Sequence, residues 1–264
     1  MARGRILFIS DLHLDASMPA SIDGFIAFLR AEAAGSDALY ILGDLFETWI
    51  GDDDDEPARA RARAALRELT AAGVPCFIQH GNRDFLLGPD FMAASGCRLL
   101  PDPSVLEAGG RRFVLSHGDT LCTADRGYQR FRRVVRNALL QQGWRALPLS
   151  LRRRFASLAR SRSYAHTRRL PESIMDVTPA AVAALLRRTD ADVLVHGHTH
   201  RPGVHRLDVD GRDRTRIVLG DWPARSNALV VGADGQCDLR TLSTGAASCA
   251  ASAGFAAPVM GTPE

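Results

Sequence analysis

Short apolar runs recur along the chain, and each ends in a cluster of polar residues. Residues 6–9, 38–42, 75–79, 112–115 and 193–195 predict buried strands. The stretches between them carry apolar residues at helical spacing. Residues 19–33 place Phe25, Phe28 and Leu29 on one face, and residues 57–72 open with a proline suited to a first helical turn. Another helix is expected over residues 179–188. Strands alternating with helices predict an α/β fold with parallel pairing and sheets buried on both faces. After His200, residues 203–209, 215–219, 228–231 and 236–241 are parted by turns such as Asp210-Gly211 and predict antiparallel strands. The tail, residues 243–264, is too poor in large apolar groups to fold.

The pattern changes between Asp125 and Met175. Tyr128, Phe131, Val135, Ala138 and Leu139 recur at helical spacing, and so do Leu151, Phe155, Leu158 and Ala159, with Pro148 and Pro171 as boundaries. This predicts a helical cap insertion over residues 125–175, set in a body made of residues 1–124 and 176–242. Most of its apolar positions are expected to pack the helices onto the body.

Charge singles out the same stretch. All 33 basic residues are arginine. Thirteen lie between Arg126 and Arg169, where there is no Asp or Glu, so the remainder carries a balance of −10. A basic block in an acidic body points to a phosphate-rich partner or an anionic membrane surface. Nucleic acid is not expected, because stacking aromatics are few and no binding motif accompanies the block. The acidic run at residues 52–56 is expected to be a solvated loop. Five cysteines without a C-x-x-C pair fit a reduced, cytosolic setting. The chain enters its first strand with no secretory h-region, and no run approaches the ~20 apolar residues of a spanning helix.

The chemistry sits at the strand ends. Asp11, His13, Asp44, Asn82, His117, His198 and His200 follow five different apolar runs. In extended backbone, His198 and His200 would point the same way. The set is too large for a single four-ligand site and suits two ions. Such a pair, about 3.5–4 Å apart, can activate water and clamp a phosphoryl oxygen. Mixed nitrogen and oxygen donors favour Mn²⁺, Fe²⁺ or Zn²⁺ over Ca²⁺ or Mg²⁺.

The series Asp11-x-His13, Gly43-Asp44-x-x-Glu47, Gly81-Asn82-Arg83-Asp84, His117 and Gly197-His198-x-His200 resembles the calcineurin-like metallophosphoesterases over residues 6–219. The resemblance implies a four-layer αββα sandwich with the site at the strand ends. It implies Asp11, His13 and His200 on one ion, Asn82, His117 and His198 on the other, and Asp44 bridging. Many members carry a general-acid histidine where this chain has Arg83. A guanidinium stays charged and binds phosphate bidentately, but it is no proton donor. Arg83 therefore favours a leaving group that needs no proton, such as the phosphate released from a pyrophosphate.

Within that superfamily, Ser10-Asp-Leu-His-Leu, Gly43-Asp-Leu-Phe-Glu, His80-Gly-Asn-Arg-Asp-Phe85, Leu115-Ser-His-Gly-Asp-Thr-Leu-Cys122 and Ile174-Met-Asp-Val177 resemble the family that hydrolyses UDP-2,3-diacylglucosamine in lipid A biosynthesis. This implies attack on the α-phosphate, two Mn²⁺ ions and a peripheral position on the cytoplasmic face of the bacterial inner membrane. By position, Asp125, Ser163 and Thr167 would contact the sugar–nucleotide part, with Asn82, Arg83 and His198 near the phosphates and Asp84 holding Arg83. Thr167 stands where many members have Asn, and Leu170 where a basic residue is usual. Two other functions compete: a soluble nucleotide phosphodiesterase or dinucleoside polyphosphatase on the same metal core, and a non-catalytic scaffold binding a membrane or partner.

Overall fold

The computed structural model describes residues 4–167, 175–222 and 226–242, the side chains of 160–167 excepted. Its strands form two sheets. In the first, β1 (Arg5–Ile9), β2 (Ala38–Leu42), β3 (Cys76–Gln79) and β4 (Arg98–Leu100) run parallel. β10 (Asn227–Gly232) and β11 (Cys237–Thr241) extend that sheet antiparallel, beginning at β1. In the second sheet, β6 (Arg111–Ser116), β7 (Val193–His196) and β9 (Arg212–Val218) are parallel. β5 (Ser104–Ala108) and β8 (Gly203–Val209) close its edges antiparallel.

Alternation along the strands divides the interior. Phe8, Tyr40, Leu42 and Leu229 of the first sheet meet Phe113, Leu115, Val193, Val195 and Ile217 of the second. Phe8 stacks on Tyr40 at 5.0 Å and reaches Phe113 at 6.5 Å. The residues between, Leu7, Ile9, Leu39, Ile41 and Ile78, face α1 (Pro19–Ala31) and α2 (Pro57–Ala71) on the outside. Val114 and Leu194 face α7 (Pro179–Thr189) on the other side. The layers are therefore helix, sheet, sheet, helix, as the resemblance implies. Each large side chain so buried contributes roughly 1.5–3 kcal/mol.

The predicted strands and helices appear within a few residues of their expected bounds. α3 (Pro89–Ser95), β4 and β5 had no clear apolar signature, because β4 has only three residues and β5 is nowhere fully buried. Among the described residues between β6 and α7 stand three α-helices that pack in neither outer layer: α4 (Arg126–Val135), α5 (Ala138–Arg145) and α6 (Leu149–Thr167). The break between α4 and α5 falls inside the stripe from Tyr128 to Leu139. Asn137 causes it by capping α5, its side-chain oxygen accepting from the N–H of Leu139 and Leu140.

Two expectations are overturned in this region. The stripes do not pack the helices onto the body, since Phe131 is 57% and Leu139 76% exposed, and Val134, Leu140, Leu151, Phe155 and Leu158 are exposed too. Nor is the acidic run simply solvated. Asp52 caps α3 through the N–H of Gly88, Asp90 and Phe91, and Glu56 caps α2. Asp53 pairs with Arg152, and Asp54 with Arg59 and Arg153. Part of the basic block thus answers the protein's own acidic loop. The tail at 243–264 lies outside the described residues.

Candidate metal centre

The carboxyl ends of β1, β2, β3, β6 and β7 open on one edge of the sandwich, where α/β proteins build sites. Each strand ends in a tight turn, and the turns are costly. Asp11, His13, Asp44, His198 and His200 all have φ between 48° and 68°. Non-glycine residues in that left-handed region are uncommon, at a cost of order 1–2 kcal/mol each. Among the described residues, Asp190 and Asp210 alone share it outside this cluster. The bent backbone also corrects the expectation from spacing. His198 and His200 do not point the same way: His198 turns to Asn82, and His200 turns to His13 and Asp11.

All seven predicted donors converge. His13 Nε2 and His200 Nε2 are 3.3 Å apart, with Asp11 Oδ1 3.9 and 3.3 Å from them. Asn82 Oδ1 lies 2.9 Å from both His117 Nε2 and His198 Nδ1. Asp44 Oδ2 sits between these groups, 3.9 Å from His13 Nε2 and 3.7 Å from His117 Nε2. Asp11, His13 and His200 form one set able to hold a cation, and Asp11, Asp44 and His117 another.

The donor set fits a cation pair. Asp11 Oδ1 is buried without a hydrogen-bond donor, which is costly for a carboxylate unless a cation or partner faces it. The Nε2 atoms of His13 and His200 converge instead of pointing apart. The surrounding turns leave no slack: a Cβ on Gly197 would lie 2.1 Å from Asp11 Oδ2, and one on Gly43 2.6 Å from His117 Nδ1.

The electrostatics agree. Burial opposes charge on His117, yet Asp44, Asp11 and Asp119 raise it to about 9. Burial pushes Asp44 up to about 6 against the pull of His117 and His13. Burial also resists ionisation of Asp11, but His200, His117 and His13 hold it well below the usual carboxylate range. His198, buried beside His117, is lowered to about 3. The buried carboxylates draw positive charge toward the floor of the site, and His200, with 39% of its side chain exposed, stands at its mouth.

Supporting groups fix the donors. Glu47 Oε2 is 2.9 Å from His13 Nδ1, the Leu42 carbonyl 2.9 Å from His117 Nδ1, and Asp221 Oδ2 3.8 Å from His200 Nδ1. Such contacts orient ligating imidazoles. Arg83 Nη1 meets Glu47 Oε1 at 3.5 Å. Asp84 has a different task from the one expected. Its oxygens accept from the N–H of Gly81 and Leu45, both at 2.8 Å, and so staple the loops after β3 and β2 together. It is a positioning group for Asp44 and Asn82, not an anchor for the Arg83 guanidinium.

Asp125 caps α4, its Oδ1 accepting from Tyr128 N at 2.8 Å. Ser163 and Thr167 fall on α6, where their side chains lie outside the described residues. Asp119, which has no evident role in the sequence, is buried and accepts from Tyr128 Oη at 2.5 Å and Arg132 Nε at 2.7 Å. Tyr128 in turn stacks against His198 at 6.1 Å. The only available signal was Asp119's place two residues after His117.

Residues 4–202 match the calcineurin-like phosphoesterase family. A protein of Serratia proteamaculans named UDP-2,3-diacylglucosamine hydrolase is 50% identical over 228 residues, covering 86% of this chain and 95% of that one. A protein of the same name from Stenotrophomonas maltophilia is 49% identical over 236 residues, covering 87% and 95%. Among solved structures, an archaeal phosphodiesterase is 12% identical with a TM-score of 0.47, covering 90% of this chain and 99% of that one.

Proposed function

The chain belongs to the calcineurin-like phosphoesterases and, within them, to the UDP-2,3-diacylglucosamine hydrolase family, and from that premise we propose that it hydrolyses UDP-2,3-diacylglucosamine to UMP and 2,3-diacylglucosamine 1-phosphate in lipid A biosynthesis. The observation that carries this is the convergence of seven donors from five strand ends, with Asp44 Oδ2 between the two histidine groups.

Asp11, His13 and His200 would hold one Mn²⁺, Asn82, His117 and His198 the other, and Asp44 both. When bound, such a pair lowers the pKa of a water molecule and neutralises charge on phosphoryl oxygens. Arg83, kept in place by Glu47, binds the phosphoryl oxygens and stabilises the charge that grows there. It supplies no proton, and none is needed. Attack at the α-phosphorus breaks its bond to the bridging oxygen, and the departing sugar phosphate has a second pKa near ~6. Asp84 serves the reaction through the loops it staples. Asp125, Ser163 and Thr167 contact the sugar–nucleotide part.

The exposed apolar residues of α4–α6 and their arginines support a lipid-bearing substrate and a peripheral position on the cytoplasmic face of the inner membrane. Among the described residues no helix is long and apolar enough to cross a membrane. A soluble nucleotide substrate would leave these apolar faces without a use.

The test is turnover of UDP-2,3-diacylglucosamine in mixed micelles with Mn²⁺ in ¹⁸O-water, with products weighed by mass spectrometry. Label in UMP is expected; label in the sugar phosphate means β-attack and overturns the assignment. Turnover of bis(p-nitrophenyl) phosphate without turnover of the lipid would indicate a soluble phosphodiesterase. Inactivity on both with metal loaded would indicate a scaffold.

A further inference from the structure

The segment α4–α6 is fastened to the body at two separate places. At its start, Tyr128 and Arg132 grip Asp119, and Arg136 Nη2 donates to the Gly81 carbonyl at 2.8 Å, next to Asn82. Near the junction of α5 and α6, both helices grip a single carbonyl. Trp144 Nε1 and Arg152 Nη1 both donate to Ile50 O, at 3.0 and 2.9 Å.

Arg152 is built into a socket. It is 2% exposed, unlike most of α6 around it. Besides Ile50 O, its Nη1 donates to Asp53 Oδ1 at 2.8 Å, its Nη2 to Asp53 Oδ2, and its Nε to Leu147 O at 3.0 Å. Gly51 makes the room. Its φ is +146°, and a Cβ there would lie 2.3 Å from Arg152 Nη1 and 2.7 Å from Asp53 Oδ1. A buried guanidinium persists only where its donors are matched in this way.

The loop that receives it is the one that serves the metal centre. It runs from β2 through Asp44 and through Glu47, which touches both His13 and Arg83. It then reaches Ile50, and the Trp49 N–H donates to the Arg83 carbonyl at 3.1 Å.

From this geometry we infer that Arg152 is a positioning residue: it latches the α5–α6 junction to the loop carrying Asp44 and Glu47, so that the segment is a strap fixed at two places, at the start of α4 and at the start of α6. The strap keeps the exposed apolar residues of α5 and α6 in register with the metal centre. Its consequence for catalysis rests on the proposed glycolipid substrate; the latch itself does not. Losing the latch should weaken capture of the lipid-bearing substrate while leaving chemistry on a small diester intact.

The experiment compares Arg152→Gln, Arg152→Lys and Asp53→Asn in the full chain. Hydrogen exchange of amides 138–153 should quicken by about tenfold or more in Arg152→Gln, with β1–β3 unchanged. KM for UDP-2,3-diacylglucosamine should rise by about tenfold, while kcat/KM for bis(p-nitrophenyl) phosphate stays within about twofold. Arg152→Lys should recover part of both effects. Exchange at wild-type rates, or equal losses on both substrates, would overturn the latch. If Arg152→Gln does not fold, Asp53→Asn decides by the same readouts, since the Asp53 side chain is largely exposed. If the wild type ignores the glycolipid, the function proposal falls, and hydrogen exchange still decides the latch.

Discussion

Gly81→Ala tests ligand geometry without touching a ligand. A Cβ at residue 81 would lie 2.0 Å from Asp44 Oδ1, 2.3 Å from Asp44 N and 2.7 Å from Asp44 Cγ. Gly81 is not among the glycines with positive φ, so alanine suits its backbone and the whole cost is steric. Ordinary contact begins near 3.4 Å, so Asp44 and residue 81 must part by roughly 1 Å or more. The clash involves a backbone nitrogen, which cannot swing aside as a side chain can. Asp84 also ties Gly81 N and Leu45 N to one carboxylate, so both loops move together. Overpacking of this kind costs about 1–3 kcal/mol, which a domain of this size survives. The site is less tolerant, because Asp44 Oδ2 is shared between His13 and His117. A displacement of ~1 Å is worth about 10²-fold in rate. We expect kcat on UDP-2,3-diacylglucosamine to fall about 10²-fold or more at saturating Mn²⁺, with unchanged circular dichroism. Gly143→Ala, where no atom lies within 4 Å, is the matched control and should leave kcat unchanged. A Gly81→Ala enzyme with wild-type kcat would refute the geometry.

Asp44→Ala removes the shared carboxylate and should lower kcat by about three orders of magnitude or more, measured with excess Mn²⁺; near-normal turnover would refute its bridging role. Arg83→Ala should reduce kcat by about 10²-fold while metal content by elemental analysis is unchanged; loss of metal instead would make Arg83 structural. Leu139→Asp combined with Phe155→Asp should leave the melting temperature nearly unchanged, since both residues are exposed. The same double variant should bind phosphatidylglycerol vesicles more weakly in a flotation assay, and unchanged binding would remove α5 and α6 from the membrane contact.

The body was legible because each layer writes a local pattern. A strand such as residues 38–42 must be apolar on both faces, and its last residue must hand over to a turn. The donors were legible for the same reason, as polar residues at the one place where an apolar run stops. What lay beyond local pattern was missed. Nothing near Asp53 in the chain indicates that its partner is Arg152, 99 residues away. The acidic run therefore looked solvated, and the arginines looked free for an outside partner. The apolar stripes misled in the opposite direction. Periodicity shows that Phe131 and Leu139 share a helix face, but not whether anything covers it. Asp84 followed Arg83 in the chain and suggested a pair, whereas its carboxylate faces the two backbone N–H groups that need it.

Asp11, Asp44, Asn82, His117, His198, His13 and His200 are proposed to cage a pair of cations. Anomalous diffraction at the manganese edge from crystals grown with Mn²⁺ measures this directly. Two peaks about 3.5–4 Å apart, with Asp44 between them, are the expected result. A single peak, or none among these seven side chains, would contradict it.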